Sequence, residues 1–434
     1  MANELIVNVT HSETRVARLE NSVVTELFVE RERAGGCLGN IYKGKVVRVL
    51  PGMQAAFIDI GLDRTAFLHA SDVVVDRSRL GEIEEGKKLA DIDEDQAPAV
   101  KRGRKNSSIE SLLQEGNEII VQVEKEPLGS KGARLTSHVS LPGRYVVYMP
   151  TLDHVGASRR IADPSERARL KDTIRKLRKG KSGGFIVRTV SAGTTEKQLK
   201  ADIDYLVASW EQISSAAKNA KSPALIRSEL GVLDRVIRDQ FTPDVDRVVV
   251  DAAAAHGRMR DFVATFQPED ENRVELYEGC EPIFDAFGIE IEITRALGQK
   301  VWLKSGGYII IEQTEALTAV DVNTGRFVGR RDVEDTIVKT NLEAVKEIVY
   351  QLRLRDIGGI VILDFIDMDR QANRNKVYNS LKEYLKSDKA RTTVTKISEL
   401  GLVEMTRKRT REDLRRQLTN SCQYCEGKGY LKSP

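Results

Sequence analysis

Two apolar runs that each end on an aspartate constrain this chain more than any other stretch. Ala316-Leu-Thr-Ala-Val-Asp-Val-Asn-Thr-Gly325 reads as a strand with Asp321 and Asn323 at its far end, and Gly358-Gly-Ile-Val-Ile-Leu-Asp-Phe-Ile-Asp-Met368 reads the same way with Asp364. Between them, residues 333–355 place Ile337, Leu342, Val345, Ile348, Val349 and Leu352 at helical spacing, and the Gly358-Gly359 pair closes the run. A strand, a long helix and a second strand form a right-handed crossover, which makes the strands parallel and brings their carboxyl ends to one sheet edge. Asp321 and Asp364 then meet there. Two carboxylates beside an amide suit Mg²⁺, a hard cation that takes oxygen ligands, keeps several waters and accepts substrate phosphate oxygens. The same residues also read as plain strand-end aspartates that begin turns, and the pattern alone leaves both readings open.

A chain of 434 residues has room for roughly two to four domains. Its apolar share of 41% builds real cores, while 31% charged residues describes a water-facing surface. The net charge of +3 is nearly balanced, so a polyanionic partner would have to be met by local basic patches. No apolar run approaches the roughly 20 residues that span a bilayer, and the first ten residues lack a secretory signal pattern, so a cytoplasmic location is expected. Four cysteines (Cys37, Cys280, Cys422 and Cys425) are too few for a disulfide framework.

Along the chain, Glu4-Leu-Ile-Val-Asn-Val and residues 23–29 alternate as a strand pair, and Ala34-Gly-Gly-Cys-Leu-Gly39 breaks the pattern. From Asn40 to Asp72, short strands with glycine turns indicate a small closed barrel, completed by residues 118–124 and 135–140. Phe57 and Phe67 fall on neighbouring strands with Lys43, Lys45, Arg48 and Arg64 nearby; they read either as core rings or as a base-stacking surface. The polar segment 76–115, with Lys101-Arg-Gly-Arg-Lys105 inside it, reads as a loop splitting the barrel. Residues 141–233 form a small α/β module with helices at 164–179 and 196–218 around the strand Gly183-Gly-Phe-Ile-Val-Arg-Thr-Val190. On that strand Arg188 and Thr189 are either ordinary positions or a guanidinium and hydroxyl for a phosphate. Residues 234–239 give a strand-like run and 246–267 a helix, in a segment that completes the domain begun at the N-terminus. Near the end, Ser421-Cys-Gln-Tyr-Cys-Glu-Gly-Lys-Gly429 sets Cys422 and Cys425 on a knuckle that supplies two of the four ligands a structural Zn²⁺ needs; two copies from two subunits would complete it. A redox CxxC is the other reading, without a thioredoxin-like context around it.

Taken in order, the interrupted N-terminal piece, the barrel, the Gly-Phe-Ile-Val-Arg-Thr module, Asp-Val-Asn-Thr-Gly-Arg, Gly-Gly-Ile-Val-Ile-Leu-Asp-Phe-Ile-Asp-Met and Cys-x-x-Cys-x-Gly-x-Gly closely resemble the catalytic region of the bacterial ribonuclease E/ribonuclease G family over essentially the whole chain. The barrel itself resembles an S1 RNA-binding domain of the OB type. The resemblance implies a multidomain α/β architecture: a divided RNase H-like domain (1–36 and 234–297) without that fold's own catalytic carboxylates, an S1 domain (37–143), a 5′-sensor (144–233), a DNase I-like catalytic domain (298–418) and a zinc link (419–434). It implies that Asp321 and Asp364 hold Mg²⁺ and that Asn323 hydrogen-bonds near the scissile phosphate. Arg188 and Thr189 are assigned to a 5′-monophosphate pocket, Phe57, Phe67 and Lys131 to the S1 RNA surface, and Cys422 and Cys425 to a zinc shared between subunits of a homodimer. Mg²⁺ held by the two aspartates would polarise the phosphoryl oxygen and activate water, leaving 5′-phosphate and 3′-hydroxyl ends. The expected activity is endonucleolytic cleavage of single-stranded, A/U-rich RNA, stimulated by a 5′-monophosphate, in RNA processing and mRNA decay. The sequence stops at Pro434, a few residues past the knuckle and without a long arginine- and proline-rich tail. That favours the ribonuclease G type and a dimer, since tetramers in the family use a further small domain. Rival readings are a non-catalytic S1-type RNA-binding protein on a nuclease scaffold, against which Asp321, Asn323 and Asp364 all stand in place, and a DNA nuclease, against which the barrel speaks.

Overall fold

In the computed structural model all residues are described except 1, 32–35, 75–107, 128–131, 162, 267, 326–332, 399, 410, 426, 428, 430 and 434. Lys131 and the basic run 101–105 lie outside the described residues. The chain forms two compact units: Met1–Arg31, Pro243–Gly257 and Asn272–Pro434 make one, Glu32–Thr242 and Arg258–Glu271 the other.

The second unit holds the barrel. Strands Ile41–Leu50, Ala55–Asp59, Ala66–His69, Arg134–Thr136 and Glu118–Lys125 follow one another around it, and the first pairs with the last to close it. Alternation drives this, since Val46, Ile58, Leu68, Val121 and Leu135 point inward and are buried together. The closed five-stranded barrel fits an S1/OB-like domain. Strand Ala224–Arg227 adds to its outside along Ile41–Lys43.

The same unit contains a four-stranded sheet, ordered Val155–Ala157, Gly184–Val187, Val146–Met149, Leu141–Pro142. Helices Pro164–Leu177 and Glu196–Asn219 bury Leu170, Ile174, Leu199, Ile203 and Leu206 against it. Both helices begin on side-chain caps: Asp163 accepts from the Ser165 amide, and Thr195 and Gln198 form a reciprocal capping box. The buried Asp202 ties helix to sheet by accepting from the backbone amides of Arg144, Tyr145 and Val146. Burial pushes its carboxyl above the ordinary range despite those bonds.

In the first unit, a five-stranded sheet sets Asn3–Val9 parallel to Arg247–Val250 and antiparallel to Glu13–Glu20, with Val23–Arg31 and Val274–Leu276 at its edges. Elements of both units differ from the sequence expectation. The runs 4–9 and 23–29 do not pair with each other, because Glu13–Glu20 lies between them. Arg188 and Thr189 follow strand Gly184–Val187 instead of belonging to it, and Thr189 opens a short helical turn. Glu13–Glu20 is a strand that its charged residues mask, because Arg18 sits in the sheet only 4% exposed, paired with Asp244 at 2.6 Å. Residues 234–239 lie in a helix, Val232–Gln240, since Leu233, Val236 and Ile237 recur at three and four residues and are buried on one face. The expected helix at 246–267 is instead a strand, Arg247–Val250, followed by helix Ala253–Phe266; three consecutive valines are buried between neighbouring strands.

The second sheet of this unit is ordered Lys300–Trp302, Tyr308–Gln313, Leu317–Asn323, Gly359–Asp364, Leu402–Arg407, Thr392–Val394. Helices Val333–Leu354 and Gln371–Leu385 cover one face, where Ile309, Ile311, Val320, Val322, Val361, Leu363, Val403 and Met405 are buried with Val345, Ile348, Leu352, Val377 and Leu381. The opposite face is the one that carries the aspartates.

Candidate active site

Leu317–Asn323 and Gly359–Asp364 run parallel, with Asp321 directly opposite Asp364. Their neighbours Val320, Val322, Leu363 and Phe365 are buried, so the period of two turns both carboxylates to the uncovered, solvent-facing side. The Asn323 side-chain amide donates to Asp321 Oδ2 at 2.7 Å, which fixes that carboxylate's rotation. Partial burial, and then the like charges of Asp321 and Asp367, push the Asp364 carboxyl above its ordinary value. A pair of carboxylates that resist sharing their charge is relieved by a cation or a proton.

Residues that the sequence reading did not single out hold this geometry. Asn341, fully buried in the long helix, donates to the Ile366 carbonyl at 2.8 Å and accepts from the Ile366 amide at 3.1 Å, clamping the backbone just beyond Asp364. A polar residue on an apolar helix face was the available signal. Arg374 Nη1 donates to the Met368 carbonyl at 2.7 Å on the same turn. Gly401, at φ +76°, lets the next strand approach so closely that a Cβ there would lie 2.6 Å from the Phe365 carbonyl oxygen.

On the barrel, Phe57 and Phe67 are opposite one another on antiparallel strands, with ring centroids 6.2 Å apart at 69°. Both are half-buried while Ala56, Ile58, Ala66 and Leu68 are fully buried, which puts the rings on the barrel's outer surface. Lys43 does not serve them: its ammonium is bound to Glu118 and the Ala220 carbonyl, each at 2.8 Å. In the α/β module, Arg188 Nη1 donates to the Gly143 carbonyl at 2.7 Å and to Asp239 Oδ1 at 2.6 Å. Burial opposes ionisation of Asp239, yet Arg188 and Arg238 hold its carboxyl down at about 2. The Thr189 hydroxyl is 2.9 Å from that of Ser158.

Cys422 is exposed and Cys425 half-buried on a turn near the C-terminus, with Gly427 and Gly429 at φ +84° and +77°. The Gly429 amide donates to Cys425 Sγ at 3.3 Å, and hydrogen bonds from the backbone of Cys425 and Tyr424 hold the Cys422 thiol below its ordinary value. Among the described residues, no three His, Cys, Asp or Glu side chains converge to hold a metal. Nor is any described helix long and apolar enough to cross a membrane.

A family profile described as the Ribonuclease E/G family matches residues 140–410. Ribonuclease G of Escherichia coli (strain K12) is 46% identical over 434 residues, spanning 100% of this chain and 85% of that protein. Ribonuclease G of Haemophilus influenzae is 44% identical over 432 residues, spanning 100% and 84%. Ribonuclease E of Escherichia coli (strain K12) is 35% identical over 430 residues, spanning 99% of this chain but 39% of that longer protein. With a profile over more than half its length and relatives matching it end to end, this chain belongs to the ribonuclease E/G family.

Proposed function

We propose that this protein is a cytoplasmic, Mg²⁺-dependent endoribonuclease of RNA processing and mRNA decay, which cuts single-stranded, A/U-rich RNA and works faster on 5′-monophosphorylated substrates. Family membership supports the endoribonuclease activity, and the observation that carries the site is the direct opposition of Asp321 and Asp364 on parallel strands. Two opposed carboxylates fit a cation that takes the rest of its shell from water and phosphate. When bound there by Asp321 and Asp364, Mg²⁺ supplies Lewis-acid stabilisation of the phosphate and an activated water. Asn323 keeps Asp321 Oδ2 engaged and so sets which carboxylate oxygen faces the substrate. Asn341 and Arg374 hold the turn after Asp364, so that the second carboxylate is presented without a reorganisation cost. This route needs no ribose 2′-hydroxyl as nucleophile and leaves 5′-phosphate and 3′-hydroxyl ends.

Selectivity for RNA then rests on substrate handling. Phe57 and Phe67 serve as the base-stacking surface of the barrel, and Lys131, outside the described residues, is assigned with them to RNA binding. Replacing Phe67 with alanine is expected to weaken binding of single-stranded RNA about tenfold, since a stacked base contributes about 1–3 kcal/mol; an unchanged Kd in a fluorescence-anisotropy titration would remove the ring from the RNA surface.

Arg188 and Thr189 form the 5′-phosphate pocket, with Asp239 aiming the guanidinium. One such charge-assisted contact is worth about 1.5–3 kcal/mol. Arg188→Gln is therefore expected to slow cleavage of 5′-monophosphorylated RNA about tenfold or more, and 5′-hydroxyl RNA much less. Equal slowing of both substrates would show a folding or binding defect and sink the sensor role. The decisive experiment for the whole reading compares one short A/U-rich RNA with either 5′ end, first with Mg²⁺ and then with a chelator. Mg²⁺-dependent cutting that favours the monophosphate is expected; binding without cutting under any condition would return the chain to a non-catalytic RNA binder.

A further inference from the structure

The uncovered face of the catalytic sheet carries an aromatic and cationic cluster beside the carboxylates. Trp302 is opposite Tyr308 and Tyr308 is opposite Asn323, while Lys300, Ile310, Asp321 and Asp364 form the adjoining row across the same strands. Because Val301, Ile309 and Val322 pack into the core, the alternation sends Lys300, Trp302 and Tyr308 to the same side as Asp321 and Asn323. The two rings meet edge to face, with centroids 5.4 Å apart. Lys300 Nζ lies 4.0 Å from the Trp302 centroid and 3.6 Å from that of Tyr308. Trp302 nevertheless remains 64% exposed, a large area for an indole that a core would ordinarily claim.

We propose that Trp302, with Tyr308 and Lys300, is a stacking subsite for one base of the RNA substrate, about two nucleotides from the bond that is cut. The inference rests on the reading of Asp321 and Asp364 as the cleavage site. Strands lie about 4.8 Å apart, so the indole sits two strands, or roughly 10 Å, from Asn323. An extended single strand running across the sheet from the carboxylates passes over it. A flat π surface accepts any base, and an ammonium held against it offers charge to the adjoining phosphate. An acidic partner would find Asp321, Asp364 and Glu312 on the same face, whereas a nucleotide strand meets its cation at Lys300 and its metal at the aspartates. The cluster thus adds a binding determinant on the catalytic sheet itself.

The test uses the full chain with a short A/U-rich RNA and a series of the same RNA in which one nucleotide at a time is abasic. Trp302→Ala is expected to raise KM about tenfold with kcat changed less than about twofold, and Trp302→Phe to restore most of the loss. At one position of the series the wild type should lose about the same tenfold, and Trp302→Ala should lose nothing further there. An unchanged KM in Trp302→Ala, or losses that multiply at every position, would overturn the subsite. A changed sedimentation coefficient with KM intact would assign the patch to a contact between copies and overturn it as well. Asp321→Asn separates the two inferences: if it still cuts, the cleavage site is wrong, whereas an inactive Asp321→Asn beside a fully active Trp302→Ala sinks the subsite alone.

Discussion

Asp364→Asn is expected to lower the rate of RNA cleavage by roughly 10³-fold or more, with the affinity for single-stranded RNA within about twofold of wild type. The amide is the same size as the carboxylate, and the side chain faces solvent, so the strand and its core partners Val361, Leu363 and Phe365 have no reason to shift. What changes is charge. Asp364 shares its site with Asp321 and Asp367, and its carboxyl titrates above the ordinary range because of burial and those neighbours. Removing one charge relaxes that repulsion in the free protein, so thermal stability should hold or rise slightly while the capacity to hold a divalent cation falls. Asp321→Asn should behave alike, and it further leaves two amides facing each other at Asn323. Binding is read by anisotropy and cleavage by gel, at saturating Mg²⁺. Normal cleavage by either variant would remove that residue from the site; loss of both cleavage and melting temperature would indicate a folding role instead.

We propose that Cys422 and Cys425 of two chains share one Zn²⁺; on that reading Cys422→Ser is expected to abolish zinc binding and convert the dimer to monomers. Each chain brings two thiols on one turn, which is half of a tetrahedral site, and no third metal-ligating side chain gathers with others among the described residues. Hydrogen bonds from the Cys425 and Tyr424 backbone already favour the Cys422 thiolate, the form that ligates. A complete thiolate site contributes on the order of 10 kcal/mol or more, so losing one ligand from each subunit removes a large share of what joins two chains. Zinc content by atomic absorption should be about one ion per two chains in the wild type and none in the variant, and sedimentation should report the dimer only in the first. A wild-type dimer without zinc contradicts the link outright. Retained zinc in a monomeric wild type would point to a site completed within one chain.

Local pattern made much of this molecule legible. The strand, long helix and strand around Asp321 and Asp364 appear with the expected ends within a residue or two, because alternation at period two, helical spacing and a glycine stop are all written in consecutive residues. Most barrel strands were readable for the same reason, but the one expected at 135–140 is only Arg134–Thr136. Where charge broke the alternation, as at Arg18 in Glu13–Glu20, the strand was hidden, since the ion pair that allows an arginine to be buried is with Asp244, far away in the chain. The helix at Val232–Gln240 and the strand at Arg247–Val250 exchanged character because short apolar runs suit either state until neighbours decide.

The site divides along the same line. The sequence by itself determined the local motifs: two aspartates closing apolar strand runs, an asparagine two residues after the first, and a cysteine knuckle, each legible from adjacent residues. Only the tertiary structure decided that Asp321 and Asp364 stand in the same register, that Asn341 holds the backbone after Asp364, that Asp239 holds Arg188, and that Trp302 and Tyr308 reach the same open face as the carboxylates. Those relations join residues through strand register and helix packing, and register follows from how whole sheets bury their apolar faces rather than from any one stretch of chain.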